Sequence, residues 1–128
     1  MKSVLRNKDT GNFLVRYIKS FLNAINGIIY ALFYEHNMII ILAAIIVTTV
    51  AGFYFEISVY EWLFCILIMG MVAAAEMINT AIEAVVDLKT VETHPLAKIA
   101  KDTASSATLI LSITAFIGAL IIFLPKMI

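Results

Sequence analysis

Residues 62–87 read Trp62-Leu-Phe-Cys-Ile-Leu-Ile-Met-Gly-Met-Val-Ala-Ala-Ala-Glu76-Met-Ile-Asn79-Thr80-Ala-Ile-Glu83-Ala-Val-Val-Asp87. Fourteen uncharged residues, Trp62–Ala75, run directly into a stretch with three carboxylates. Fourteen are too few to cross a hydrocarbon core, which takes about 20. Read on to Val86, the segment has 25 residues, roughly 37 Å of helix at 1.5 Å per residue. It is therefore a membrane-spanning helix whose acidic end reaches one interface. At about 100° per residue, Glu76, Asn79, Thr80, Glu83 and Asp87 share roughly one 100° sector, while Met77, Ile78, Ala81, Ile82, Val85 and Val86 point elsewhere.

The rest of the chain supports this reading. Of 128 residues, 62% are hydrophobic and 14% charged, against about 25% charged in soluble domains. Between Glu35 and Glu56 lie twenty residues without formal charge, and Thr103–Pro125 is a second such stretch. Spans are expected at about 36–55, 61–86 and 101–124, in a single membrane-embedded domain over 1–128. Ahead of them, about 12–34, Leu14, Ile18, Phe21, Leu22, Ile25, Ile28, Ile29 and Leu32 fall on one helical face. Arg16, Lys19, Ser20, Asn23, Asn26 and Tyr30 fall on the other, as in a helix lying in the membrane interface. His94-Pro95 marks a break before the last helix. The fold class is all-α integral membrane, with three transmembrane helices and an N-terminal amphipathic surface helix.

Charge sets the orientation. Lys2, Arg6, Lys8, Arg16 and Lys19 precede the first span, and Lys89, Lys98 and Lys101 lie between the second and third. The turn Glu56–Glu61 has no cation and the tail has only Lys126. The positive-inside rule puts the N-terminus in the cytoplasm and the C-terminus outside. Five basic residues and Asp9 in residues 1–20, with no apolar core among them, do not read as a cleaved signal peptide. Zero net charge gives no case for nucleic acid. The single cysteine, Cys65, reads as a small apolar residue within a helix.

Three carboxylates in one stripe repel unless a cation sits among them, and ionisable groups at membrane depth are functional by default. The plain alternative is a solvated extension of the helix, which suits Asp87 better than Glu76. A hard divalent cation such as Mg²⁺ is the expected neutraliser, since it takes oxygen ligands from one or two carboxylates and from substrate phosphates. Glu35 adds a carboxylate where the surface helix meets the first span, a position that also suits an interfacial anchor. Lys98 and Lys101 can face one phosphate chain, or simply mark the cytoplasmic side. Neither G-x-x-x-x-G-K-[ST] nor G-x-G-x-x-G occurs, so no glycine loop cradles a nucleotide here. His36 and His94 are too few to argue for zinc.

Glu76-x-x-Asn79-Thr80-Ala81-Ile82-Glu83-x-x-x-Asp87, followed by His94-Pro95-Leu96-Ala97-Lys98 and Ala100-Lys101-Asp102, resembles the signature of the small prokaryotic diacylglycerol kinase family. The resemblance covers the chain from Phe13 to its end. The His-Pro-Leu-Ala-Lys stretch, Glu61-Trp62 and the closing Phe-Leu-Pro-Lys resemble the Gram-positive branch, whose members are undecaprenol kinases. The resemblance implies a homotrimer of three-span subunits in the bacterial cell membrane, with its active site facing the cytoplasm. It implies ATP as phosphate donor, Glu76 as general base on a lipid hydroxyl, and Glu35 and Glu83 as holders of Mg²⁺. Arg16, Asn23, Glu35, Glu83, Glu92, Thr93, His94, Lys101 and Asp102 would surround ATP. Glu76, Asn79 and Ser105 would meet the lipid. Two departures stand out. Where the family often reads Glu-Arg-Asn-Phe-Arg, this chain has Glu35-His36-Asn37-Met38-Ile39, and Ser105-Ser106 replaces an Ala-Gly pair.

The expected activity is thus phosphorylation of a lipid alcohol, undecaprenol first and diacylglycerol second. A cation-binding transporter subunit would also use intramembrane carboxylates, but its acids belong at mid-membrane instead of at one end of a span. A purely structural subunit leaves the polar sector unexplained.

Overall fold

The computed structural model describes residues 12–128. Lys2, Arg6, Lys8 and Asp9, used above for orientation, lie outside the described residues. Four α-helices follow in order: α1 (Phe13–Tyr34), α2 (His36–Tyr54), α3 (Val59–Lys89) and α4 (Pro95–Met127). No strand occurs among the described residues. α2, α3 and α4 are each long and apolar enough to cross a membrane, whereas α1 is the amphipathic one. α3 and α4 run well past the spans that hydropathy alone delimits, because their charged ends stay helical.

The joints explain the register. One extended residue, Glu35, with φ −102° and ψ 114°, separates α1 from α2 and closes the last turn of α1 through its N–H on the Ala31 carbonyl at 3.0 Å. Its carboxylate makes no capping bond to α2. α2 ends in the hydrogen-bond pattern usually built around glycine: Ile57 N–H donates to the Gly52 carbonyl at 3.1 Å and Glu56 N–H to Phe53 at 3.3 Å. Glu56 accordingly has φ 48°, a left-handed position that favours glycine. α3 then starts in a capping box, with Glu61 N–H donating to Ser58 Oγ at 3.3 Å and Ser58 N–H to Glu61 Oε2 at 2.7 Å. His94 caps α4 by accepting from Leu96 N–H at 3.2 Å on Nδ1, and Pro95 occupies the first helical position, where its missing N–H costs nothing.

Packing concentrates between α3 and α4, which lie antiparallel. At the end away from the acidic stripe, Lys126 Nζ pairs with Glu61 Oε1 at 3.2 Å. Beside it Ile57, Cys65 and Ile122 form a buried cluster, flanked by Phe55, Trp62, Phe64, Met69 and Phe123. Gly118 permits this approach, and Gly52 permits that of α2 to α3. A Cβ at Gly118 would lie 2.2 Å from the Phe64 ring, and one at Gly52 would lie 2.6 Å from Trp62. At the other end Lys101 Nζ meets Asp87 Oδ1 at 2.5 Å. The two helices are therefore held at both ends. Elsewhere large apolar side chains face outward, Leu67 at 65% and Ile110 at 63% exposure, as lipid-facing positions must. α1 meets the bundle near its C-terminal part, where Ala31 is buried and Gly27 faces Met77.

Candidate active site

The polar sector of α3 is where the apolar packing is interrupted. Glu76 is only 2% exposed and Asn79 5%, although both sit in a helix otherwise surrounded by apolar surface. A buried charge is stable only when paired or hydrogen-bonded. Glu76 Oε1 accepts from Asn37 Nδ2 on α2 at 2.9 Å, which fixes one oxygen of the carboxylate. One turn on, Asn79 Nδ2 donates to Glu83 Oε1 at 3.2 Å. Three turns from Glu76, Asp87 holds Lys101 of α4. The stripe thus runs from a buried carboxylate, through an amide–carboxylate pair, to an exposed ion pair.

Past that exposed end lies a cleft of about 730 Å³, built by the last turn of α3, residues 90–94 and the first turns of α4. Asp87, Glu92, Thr93, His94, Lys98, Lys101 and Asp102 are among the residues that line it. The linker is held by Thr90, whose Oγ1 accepts from Glu92 N–H at 3.2 Å. Lys98 reaches Asp102 at 2.5 Å along α4. Both partners of that pair are largely exposed, so it contributes little to stability and exchanges readily for another partner.

The expected residues divide clearly. Glu92, Thr93, His94, Lys101 and Asp102 are brought together in the cleft, and Glu76, Asn79 and Glu83 form the continuous stripe leading to it. Arg16 and Asn23 sit on exposed turns of α1, with Arg16 beside Phe13, Tyr17 and Ser20 in a separate small cleft. Glu35 stands half-buried at the α1–α2 joint, and Ser105 is exposed on α4. Asn37 joins this arrangement though the sequence pattern did not single it out, and Asp87 and Lys98, part of the signature but given no role by it, line the cleft. For Asn37 the available signal was an amide in the first turn of a span, two residues after Glu35. An amide there needs a polar partner at membrane depth.

The donor set fits a hard cation. It offers oxygen ligands, Glu83 commits only Oε1 to Asn79, and the Glu35 carboxylate is not used in capping. Among the described residues no three or more His, Cys, Asp or Glu side chains form a complete metal site. An ion held here would take part of its shell from phosphate oxygens, which is how Mg²⁺ commonly binds with nucleotides.

Comparison with known proteins identifies the family. The family model "Prokaryotic diacylglycerol kinase" matches residues 22–123. The undecaprenol kinase of Bacillus subtilis is 41% identical over 121 residues, covering 94% of this chain and 98% of that protein. A diacylglycerol kinase of Helicobacter pylori is 52% identical over 50 residues, covering 39% of each chain. One from Synechocystis is 45% identical over 58 residues, 44% of this chain and 33% of its own. The chain therefore belongs to the prokaryotic diacylglycerol kinase family, on the branch of the Bacillus subtilis protein, and is a multi-pass membrane lipid kinase.

Proposed function

We propose that the protein transfers the γ-phosphoryl group of ATP to the hydroxyl of undecaprenol, yielding undecaprenyl phosphate and ADP. The buried Glu76, held by Asn37 at the head of a polar stripe that ends in a cleft bearing Lys98 and Lys101, carries this reading. The near full-length similarity to an undecaprenol kinase favours that alcohol over diacylglycerol, the second candidate.

In this scheme Glu76 is the general base. With Oε1 occupied by Asn37, Oε2 takes the proton as the lipid oxygen attacks the γ-phosphorus and the bond to the ADP oxygen breaks. Lys101 and Lys98 face the phosphates from α4, with Glu92, Thr93, His94 and Asp102 around the nucleotide, and Arg16 and Asn23 approaching from α1. Glu35 and Glu83 would hold Mg²⁺, which when bound neutralises phosphate charge. Asn79 positions the Glu83 carboxylate, and Ser105 lies on the lipid side. Phosphoryl transfer depends on positioning and charge neutralisation more than on covalent help, and these residues meet that demand. The chain works as one domain in the bacterial cell membrane, its cleft facing the cytoplasm, where ATP is. Three copies assemble, and their contacts cover apolar surface left open on one chain.

Radiolabelled phosphate transfer from ATP by purified protein in mixed micelles tests the reading, with undecaprenol and diacylglycerol compared side by side. Higher kcat/KM for undecaprenol is expected. A clear preference for diacylglycerol reverses the choice of lipid, and transfer to neither ends the proposal.

A further inference from the structure

Two buried polar atoms, one on α3 and one on α4, have no partner among the contacts described so far. Asn79 Oδ1 and Thr108 Oγ1 are both buried without a hydrogen-bond partner. In a membrane-embedded helix an unpaired polar atom has no water to bond to, so each calls for a partner. Thr108 differs from three other hydroxyls of the spans. Thr49, Ser106 and Thr114 donate to carbonyls of their own helices, those of Ile45, Thr103 and Ile110. The Thr108 hydroxyl makes no such bond.

Register relates Thr108 to Asn79. The Glu61–Lys126 ion pair joins α3 to α4. Asn79 follows Glu61 by eighteen residues and Thr108 precedes Lys126 by eighteen. Eighteen residues make five turns at 3.6 per turn, so each residue repeats the azimuth of its ion-pair partner about 27 Å further along. The helices are antiparallel and still paired at Asp87–Lys101, so both displacements run the same way and end at the same level. Thr80, which also has a buried unpaired hydroxyl, instead repeats the azimuth of Trp62, and Trp62 packs on Gly52 of α2.

We propose that Thr108 is a positioning residue: its hydroxyl, through one bridging water, donates to Asn79 Oδ1 and so holds the Asn79 amide with Nδ2 on Glu83. With Oδ1 unpartnered, the amide is held only by its single bond to Glu83. A donor on Oδ1 adds a second point of attachment and keeps Glu83 oriented. A water with two or three polar partners is the usual occupant of such a site. The catalytic consequence rests on Glu83 acting as proposed above, whereas the Thr108–Asn79 link does not.

The experiment therefore reads both. Thermal midpoints in detergent with EDTA and no nucleotide are measured for Thr108→Val, Asn79→Ala and the double variant. Linked residues give non-additive shifts, with the double variant close to Asn79→Ala alone. In the assay with MgATP, Thr108→Val lowers kcat by about tenfold, the range typical of groups that orient a metal ligand, and Thr108→Ser restores most of it. Additive midpoints overturn the proposal, as they would if Asn79 Oδ1 served a cation directly. Equal loss in Thr108→Ser and Thr108→Val also overturns it, since packing would then be the cause. Non-additive midpoints together with unchanged magnesium dependence in Glu83→Gln uphold the link and place the error in the role of Glu83.

Discussion

At the scale of single residues, the decisive contrast lies within α3. Glu76 is enclosed and bonded by Asn37, while Asp87, three turns on, is exposed and paired with Lys101. A general base contributes about 10²- to 10⁴-fold to turnover. Glu76→Gln keeps the shape and should lose at least about a hundredfold in kcat while MgATP binding, followed by calorimetry, stays intact. Retained kcat with a raised KM for lipid would make Glu76 a substrate contact and move the base to Asp102. For the cation, Glu35→Gln and Glu83→Gln should each raise the magnesium concentration needed for half-maximal activity. Unchanged magnesium titrations in both would leave them as surface acids. The carboxylates were legible because three acids on one face of an apolar helix have few explanations. Asn37 was not, since an isolated amide in a span carries no periodicity and its meaning depends on which helix it meets.

At the scale of elements, the helices follow from hydropathy, but their ends follow from chemistry that hydropathy does not register. The span ahead of Glu56 was expected near 36–55, and α2 occupies His36–Tyr54. The last span was expected near 101–124, whereas α4 begins at Pro95, because His94 and Pro95 form a helix start ahead of the apolar run. The α2–α3 turn was legible only as a short polar connection. Its left-handed Glu56 arises from the closure of Ile57 on Gly52, a long-range demand of the buried Ile57. Glu56→Gly relieves that conformation and should raise the thermal midpoint, by a gain on the order of 1 kcal/mol. Gly118→Val should do the opposite, since the added atoms meet the Phe64 ring, and overpacking costs about 1–3 kcal/mol. Scanning calorimetry in detergent checks both.

At the scale of the whole molecule, sidedness is the testable quantity. The orientation argued from the cations places the Glu56–Glu61 turn outside. Tyr60 is 84% exposed, so Tyr60→Cys in a Cys65→Ala background should react with a membrane-impermeant maleimide from the outer side of intact cells. Reaction only after the inner face is opened would invert the molecule. Lys126, the one cation expected on the outer side, is already neutralised by Glu61, so it opposes that orientation little. The polar stripe of α3 has one more consequence. It begins at a carboxylate inside the bilayer and ends at a cleft in water, so the two reactants arrive from pools of different dimension. Nucleotide supply is set by concentration per volume, while the alcohol is supplied laterally, by its share of the surrounding lipid. Adding inert lipid at a fixed total amount of substrate should therefore slow the enzyme, and adding buffer at fixed ATP concentration should not. A cell could throttle such a kinase by changing the composition of its membrane, without touching the protein.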